Sequence, residues 1–224
     1  MMKDCYSLSH VSRVQSFGLS YDLAREQLSK ISDMQEQCRK SGARYMRPDE
    51  IVIDYLNQPY YIILPKDLSS CHYQADVISR NHLVEVSLRD KILILHYFTM
   101  AKGTPATGIL ITYKQLPGGI DYFAVFAQRA ISPLVKHFGQ TPELLINRAV
   151  KFGGDKADYG DASVIINAFS FVPITLVLWR GDEEVAPNGN ILFDANISDY
   201  LSTEDVAVLS ETITWRLVKD ISSA

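Results

Sequence analysis

Two short apolar segments in the C-terminal third show the strongest hydrophobic pattern in the chain. Ala162–Phe169 and residues 174–179 are rich in branched and aromatic side chains, which predicts strands rather than helices. Their apolar residues fall on both faces, which indicates a sheet that is covered on both sides. Residues 170–173 are short enough for a hairpin, and Pro173 lacks an N–H, so it suits a turn or the start of a strand. We therefore predict that the two strands pair.

Asn167 is the strongly polar residue within the first of these segments. A carboxamide in such a position is ordinarily bonded to backbone groups or to water, and this is its expected role. The alternative is that Asn167 lines a pocket. The sequence leaves both interpretations open.

Other hydrophobic patterns predict the rest of the secondary structure. Further strands are predicted at residues 50–55, 60–64, 109–113 and 191–195. Helices are predicted at residues 20–40, 87–100, 120–138 and 141–152, and after a cap at Ser202. Pro133 lies inside the third of these helices and should kink or divide it.

The segment from Ser87 to Met100 is apolar almost all round. Ser87 and Asp90 form a variant of the capping box, which favours a helix that is buried on every side. A strand is the competing interpretation, because a run this short has no decisive period. His96 is then a lone histidine in a buried element. It is either a satisfied core histidine or a ligand to something held in the core.

Together these elements predict an α+β fold with a mostly antiparallel sheet flanked by helices. Residues 1–19 are predicted to be loosely ordered, and residues 20–224 to form a single α+β domain. Residues 68–81 show no clear period and are predicted to be a loop. They include Cys71 and His72, a pair too small by itself to indicate a metal site. We assign no metal site.

Composition and charge narrow the classes of partner. The 224 residues are 47% hydrophobic and 21% charged, with a net charge of −4, which gives no indication of nucleic-acid binding. The longest apolar run is too short to span a bilayer, and the N-terminus lacks the apolar core of a signal peptide. The three cysteines have no paired spacing, as is typical of a reducing compartment. We expect a cytoplasmic protein whose partners include neither nucleic acid nor a membrane.

Acidic residues are the main candidates for chemistry. Asp155, Asp158 and Asp161 recur at steps of three in a predicted loop flanked by glycines. Several more acids lie near the ends of the later predicted strands, namely Asp182, Glu183, Glu184, Asp194 and Asp199. If the strands pair, two acidic loops could meet at one end of the sheet, where carboxylates can do acid–base work or bind a hard cation. The alternative is that these acids are solvated and form turns.

Six short segments, taken in order, resemble a known prokaryotic family. They are Leu93-Ile94-Leu95-His96-Tyr97, Gly103-Thr104-Pro105, Leu116-Pro117-Gly118-Gly119, Trp179-Arg180-Gly181-Asp182-Glu183-Glu184, Ile191-Leu192-Phe193-Asp194 and Tyr200-Leu201-Ser202-Thr203-Glu204-Asp205. The chain resembles, over roughly residues 21–217, the family catalogued as domain of unknown function 3786. The resemblance implies an origin in anaerobic bacteria or archaea. Some members look fused to a cysteine-rich iron–sulfur module associated with corrinoid proteins, whereas this chain has no cysteine cluster.

The leading hypothesis is an accessory protein that binds a small molecule or cofactor. The family context suggests a corrinoid or another tetrapyrrole as the cofactor and an iron–sulfur or corrinoid protein as a partner. The residues predicted to bind the cofactor are His96, Tyr97, Asp155 and Asp158.

Two alternatives belong to other classes of protein. The first is a hydrolase or metal-assisted enzyme with Asp182, Glu183 and Asp194 as catalytic residues. The second is a protein–protein adaptor, in which the helix at residues 120–138 packs on a partner or on a second copy in an oligomer.

Overall fold

The structure is a computed structural model that describes residues 4–65, 75–80 and 84–221. Its helices are α1 (Asp4–Ser29), α2 (Met34–Ser41), α3 (Leu88–Met100), α4 (Gly119–Phe126), α5 (Ser132–Phe138), α6 (Glu143–Ala149) and α7 (Thr203–Ile221). Its strands are β1 (Arg44–Arg47), β2 (Glu50–Tyr55), β3 (Gln58–Ile63), β4 (Asp76–Ser79), β5 (Leu110–Thr112), β6 (Gly154–Ala157), β7 (Ala162–Phe169), β8 (Val172–Trp179) and β9 (Asn188–Asp194). Two antiparallel sheets and their helices confirm the predicted α+β class.

The chain divides into two compact units. Unit 1 contains residues up to Ile53 together with Pro59–Ala101, and unit 2 contains Asp54–Gln58 and the chain from Lys102 onward. Two compact units can belong to one domain or to two, so the single domain at residues 20–224 stays a prediction.

Unit 1 contains helices α1, α2 and α3 and most of the four-stranded sheet, ordered β1-β2-β3-β4. The continuous helix predicted at residues 20–40 is wrong, because the structure ends α1 at Ser29 and begins α2 at Met34. Asp33 is the cap of α2, and its Oδ1 accepts the N–H of Glu36 at 2.9 Å. Helix α1 begins at Asp4, inside the segment predicted to be loosely ordered.

The helical interpretation of the segment after Ser87 is confirmed. The Ser87 hydroxyl accepts the N–H of Asp90 at 3.2 Å and donates to its carboxylate at 2.7 Å, so that the predicted cap forms. Strand β4 lies within the segment predicted to be a loop, and its four residues are too few to show a period. Cys71 and His72 lie outside the described residues.

Unit 2 contains the five-stranded sheet, in the order β5-β9-β8-β7-β6. The predicted central hairpin is confirmed, with β7 and β8 paired from Ala162↔Leu178 to Phe169↔Val172. Pro173 lies inside β8 rather than in the turn, opposite Asn167, next to a shift in register. Prolines are tolerated in strands at such irregularities. Asp155 lies in β6, so the predicted loop before β7 is partly strand.

The predicted helix over residues 120–138 is divided, as Pro133 suggested. Helix α4 is followed by a π-helical turn at Ala127–Ile131 and then by α5, in which Pro133 is at the first or second position. Proline has no N–H to donate to the preceding turn, and a π-turn is one way for a helix to accommodate such a gap. The hydroxyl of Thr214 on α7 donates to the carbonyl of Ala130 at 3.1 Å, which satisfies an acceptor in this turn. Among the described helices, none has the length and apolarity needed to cross a membrane.

Candidate functional site

A cavity of about 360 Å³ lies in unit 2, beside the end of β7. Its volume is within the usual range for small-molecule sites, about 300–1,000 Å³. The lining residues are Asp54, Asn57, Phe152, Gly153, Asn167, Phe169 and Ser170. Asn167 therefore lines a pocket, which was the second of the two interpretations left open by the sequence.

The tip of the β2–β3 hairpin brings Asp54 and Asn57 to this cavity. Leu56 and Asn57 both have positive φ angles, 49° and 61°, as a two-residue type I′ turn requires. Asparagine adopts this conformation readily, whereas leucine rarely does. Leu56 is held there because its side chain is buried and its N–H donates to the carbonyl of Ala168 at 3.0 Å. The turn is thus anchored to the end of β7.

Aromatic packing supports the same turn. The ring of Tyr55 stacks on that of Phe169, with centroids 4.9 Å apart. The guanidinium of Arg216 on α7 lies 5.2 Å from the Tyr55 ring centroid, within the range of a cation–π contact. Because Tyr55 lies between Asp54 and Leu56 in the chain, these contacts restrict both of its neighbours.

Gly153 allows a close approach of backbone to the cavity. Its φ is +67°, and a Cβ there would come within 3.1 Å of Cγ of Asn57. Asn57 and Asn167 reach the cavity from different elements and are both exposed. In the described part of the chain neither carboxamide has a hydrogen-bond partner. Each therefore keeps two N–H donors and one carbonyl acceptor for a ligand.

Asp194 lies elsewhere in unit 2 and is 3% exposed. Its carboxylate accepts hydrogen bonds from the backbone N–H groups of Thr107 at 3.0 Å, Gly108 at 2.8 Å and Asn196 at 3.0 Å. The hydroxyl of Thr107 donates a further bond at 2.8 Å. Burial by itself would raise the pKa of Asp194, but these hydrogen bonds outweigh it and hold the pKa below its usual range. The geometry is that of a carboxylate anchoring a loop.

Three neighbours of Asp194 hold the same loop. Asp199 accepts from Lys102 Nζ at 2.8 Å and from the Thr104 hydroxyl at 2.7 Å. Asn196 donates to the carbonyls of Thr104 and Pro105, and Tyr200 donates to that of Thr104. We call this set the loop clasp, consisting of Asp194, Asn196, Asp199 and Tyr200 with residues 102–108. Three of the segments that carry the family resemblance meet in it.

Asp161 and Asp182 lie near the start of β9, at the opposite end of that strand from Asp194. Asp182 is exposed, and its Oδ1 accepts the N–H groups of Glu184 at 2.9 Å and Val185 at 2.7 Å. These backbone hydrogen bonds lower the pKa of Asp182. The Oδ2 of Asp161 accepts the N–H of Arg180 at 2.7 Å, so the two acidic loops do meet at one end of the sheet.

The three residues predicted to be catalytic are not gathered. Asp182 and exposed Glu183 follow β8, whose last residue Trp179 pairs with Asn188 at the start of β9. Asp194 is at the opposite end of β9, six residues or about 20 Å away. The sheet register therefore separates Asp194 from the other two.

The residues predicted to bind a cofactor are also distributed. Tyr97 is buried on α3 in unit 1, and its hydroxyl donates to the carbonyl of Ser41 at 2.8 Å. His96 is half-buried on the same helix, about 100° around the axis from Tyr97. Asp155 and Asp158 are exposed residues of unit 2. In the ranges that the structure covers, no three His, Cys, Asp or Glu side chains are placed to hold a metal ion.

The sequence did not single out Asp54, Asn57, Phe152, Gly153, Phe169 or Ser170 as cavity residues. A local signal exists for Asn57, since asparagine is common in tight hairpin turns, and for Gly153, since glycine commonly follows a helix. Neither signal says that the turn and the glycine are neighbours. Asn57 and Gly153 are nearly a hundred residues apart in sequence, so only the tertiary fold makes them neighbours.

The lowered pKa of Asp194 predicts an acid-sensitive step in stability. The pKa in the folded state lies below the unfolded value of about 3.9, so the contribution of Asp194 is complete above that value. It is lost as the pH falls through the lowered folded pKa. We expect the free energy of unfolding, measured by urea titration, to fall below about pH 4, and to fall less steeply in Asp194→Asn. An identical pH dependence in the variant and the wild type would contradict this assignment.

Comparison with known proteins supports the resemblance seen in the sequence. The model of a family described as Domain of unknown function (DUF3786) matches residues 33–216. The matched range includes both the cavity and the loop clasp. No curated protein and no solved structure matches the chain.

Proposed function

The chain belongs to the DUF3786 family, whose description names no activity, and we propose from the geometry that it binds a small polar molecule in the cavity beside β7. The observation that carries this proposal is the convergence of two carboxamides, Asn57 and Asn167, on one cavity. Side chains that converge from separate elements with unused donors and acceptors are typical of a ligand site.

The backbone around the cavity supports the same proposal. Leu56 holds a positive φ although it is not glycine. Such a conformation persists only where surrounding contacts maintain it, and conformations of this kind concentrate at ligand sites. The contacts that maintain this one are the Leu56 N–H bond to Ala168 and the Tyr55–Phe169 stack. The site is therefore held in shape before a ligand arrives, which lowers the entropic cost of binding.

The proposal retains small-molecule binding and does not extend to a corrinoid or another tetrapyrrole. The metal of such a cofactor commonly takes an axial ligand from His, Cys, Met or Tyr. Among the described residues that line the cavity there is none of these four types, and His96 belongs to unit 1.

The test uses the side-chain NH₂ signals of Asn57 and Asn167 in ¹H–¹⁵N NMR spectra. The signals are assigned by their loss in Asn57→Ser and Asn167→Ser and are followed while ethanolamine, glucose, urea and acetate are added one at a time. We expect at least one probe to shift both signals. Loss of one carboxamide should lower the affinity for that probe by about five- to tenfold, which corresponds to the loss of one hydrogen bond.

Asn147→Ser is the matched control, because Asn147 is an exposed asparagine on α6 that does not line the cavity. It should leave the affinity for the probe unchanged. If all four probes leave both signals in place, or if Asn147→Ser weakens binding as much as Asn167→Ser, the proposal fails.

A further inference from the structure

An exposed aromatic surface lies at the end of the five-stranded sheet where β8 ends and β9 begins. Trp179, the last residue of β8, is 42% exposed, and Tyr159 in the turn before β7 is 46% exposed. A Cβ on Gly160 would lie 3.3 Å from Cε2 of Trp179, so the turn that contains Tyr159 lies against the indole ring. We call Trp179 and the turns at residues 158–161 and 180–187 the sheet-end surface. It lies at the opposite end of β7 and β8 from the cavity and is independent of the proposed function.

Hydrogen bonds fix the shape of both turns. In the first turn, the N–H of Asp161 donates to the carbonyl of Leu178 at 2.9 Å, and its carboxylate accepts the N–H of Arg180 at 2.7 Å. In the second turn, the N–H of Asp182 donates to the carbonyl of Val185 at 2.9 Å, and its carboxylate accepts the N–H of Val185 at 2.7 Å. A partner therefore meets groups that are already in place, which lowers the entropic cost of binding.

The sheet-end surface is strongly negative. Its two turns contain five carboxylates and one guanidinium, a formal charge of −4, which equals the net charge of the whole chain. Lys136 on α5 and Lys156 on β6 are exposed nearby, and in the described part of the chain neither forms an ion pair with these carboxylates. When both lysines are counted together with Glu143, which pairs with Arg180, the formal charge is still −3. Such a surface attracts cations and repels anions.

We propose that the sheet-end surface binds an arginine-containing basic segment of a second protein. The guanidinium group of arginine suits both parts of the surface, because it stacks on aromatic faces and pairs with carboxylates through two hydrogen bonds. Tryptophan and tyrosine are also among the residues that contribute most to binding at protein interfaces. The carboxylates are spread along two turns, and among the described residues no three acidic side chains are placed to hold one metal ion, which favours an extended partner.

The test adds a peptide of four arginines alternating with glycines to the complete chain and follows the indole N–H signals of its two tryptophans by NMR. The signals are assigned by their loss in Trp179→Phe and Trp215→Phe. Trp215 on α7 is 40% exposed, so it is a comparable indole outside the sheet-end surface. We expect the peptide to shift the signal of Trp179 and to leave that of Trp215 in place. A peptide with lysine in place of arginine should bind at least about threefold more weakly, and one with glutamate should shift neither signal.

Two double variants separate this surface from the charge of the whole chain. One combines Glu183→Gln with Glu184→Gln, and its matched control combines Asp121→Asn with Glu204→Gln, which are exposed acids on α4 and α7. Each removes two negative charges. Only the first should lower the affinity for the arginine peptide, by about tenfold, and raising the salt concentration about tenfold should lower the affinity of the wild type.

Several results would overturn the proposal. They are a shift of both tryptophan signals or of neither, equal binding of the lysine and arginine peptides, and equal losses of affinity in the two double variants. If spermine shifts the Trp179 signal as effectively as the arginine peptide, the surface binds small polyamines instead of a protein segment. If the Trp179 signal moves with protein concentration in the absence of peptide, the occupant is a second copy of this chain.

Discussion

Replacing Asp194 by alanine should lower the free energy of unfolding by about 3–5 kcal/mol, because three backbone N–H groups would lose a buried acceptor. These groups belong to Thr107, Gly108 and Asn196. Asp194 is 3% exposed, so water cannot readily take the place of the carboxylate. The measurement is urea denaturation near neutral pH.

Asp182→Ala is the matched control for this prediction. The carboxylate of Asp182 also accepts two backbone N–H groups, but it is exposed, so water can replace it. We expect a much smaller loss of stability than in Asp194→Ala. Equal losses in the two variants would show that burial in the loop clasp is not what makes Asp194 important.

The second large effect is expected at Gly119. A Cβ at this position would overlap the carbonyl oxygen of Tyr113, and a backbone atom cannot rotate away as the end of a side chain can. The surrounding turn is fixed by hydrogen bonds from Leu116 to Tyr113 and from Gly119 to Leu116. We therefore expect Gly119→Ala to cost about 3 kcal/mol or more in the free energy of unfolding.

Gly118→Ala is the control, because it adds the same methyl group one residue earlier. Gly118 has a φ of +70° and open space around it, so the cost should be only that of the left-handed conformation, about 1 kcal/mol. Urea denaturation of both variants tests the difference. If Gly118→Ala is the more damaging change, the steric argument for Gly119 is wrong.

The loop clasp gives a physical meaning to part of the family resemblance. Tyr200 of one segment donates to the carbonyl of Thr104 in another, and Asp194 of a third accepts from Thr107 and Gly108, which follow Thr104 closely in the chain. A fourth segment joins nearby, since the hydroxyl of Thr203 donates to the carbonyl of Pro117 at 2.8 Å. At these positions the resemblance corresponds to groups that hold the fold together, whereas the residues lining the cavity lie outside all six segments.

Elements with strong local signals were predicted well from the sequence. The apolar run Ala162–Phe169 is strand β7 with the predicted bounds, and Ser87 and Ser202 cap helices as predicted. Strands β1, β4 and β6 were missed because four residues at the edge of a sheet need little hydrophobic pattern of their own. The break between α1 and α2 was missed because both helices continue one apolar stripe, and only the Asp33 cap marks the interruption.

The candidate site could be predicted only in part. Asn167 stood out because it interrupts an apolar strand, but its neighbours Asp54 and Asn57 lie more than a hundred residues earlier. Asp194 stood out as an acid at the end of a strand. Its burial depends on the loop that contains Thr107 and Gly108, which are 87 and 86 residues away in the chain.

The sequence by itself determined the class of fold, the central hairpin and the caps of the main helices, because each depends on residues that are close together in the chain. Only the tertiary structure decided which polar groups share a cavity and which acids are buried. These properties depend on the register of β7, β8 and β9 and on the position of the β2–β3 turn. A difference of one residue in register moves a side chain to the other face of a sheet, and no local pattern in the sequence fixes that choice for two distant elements.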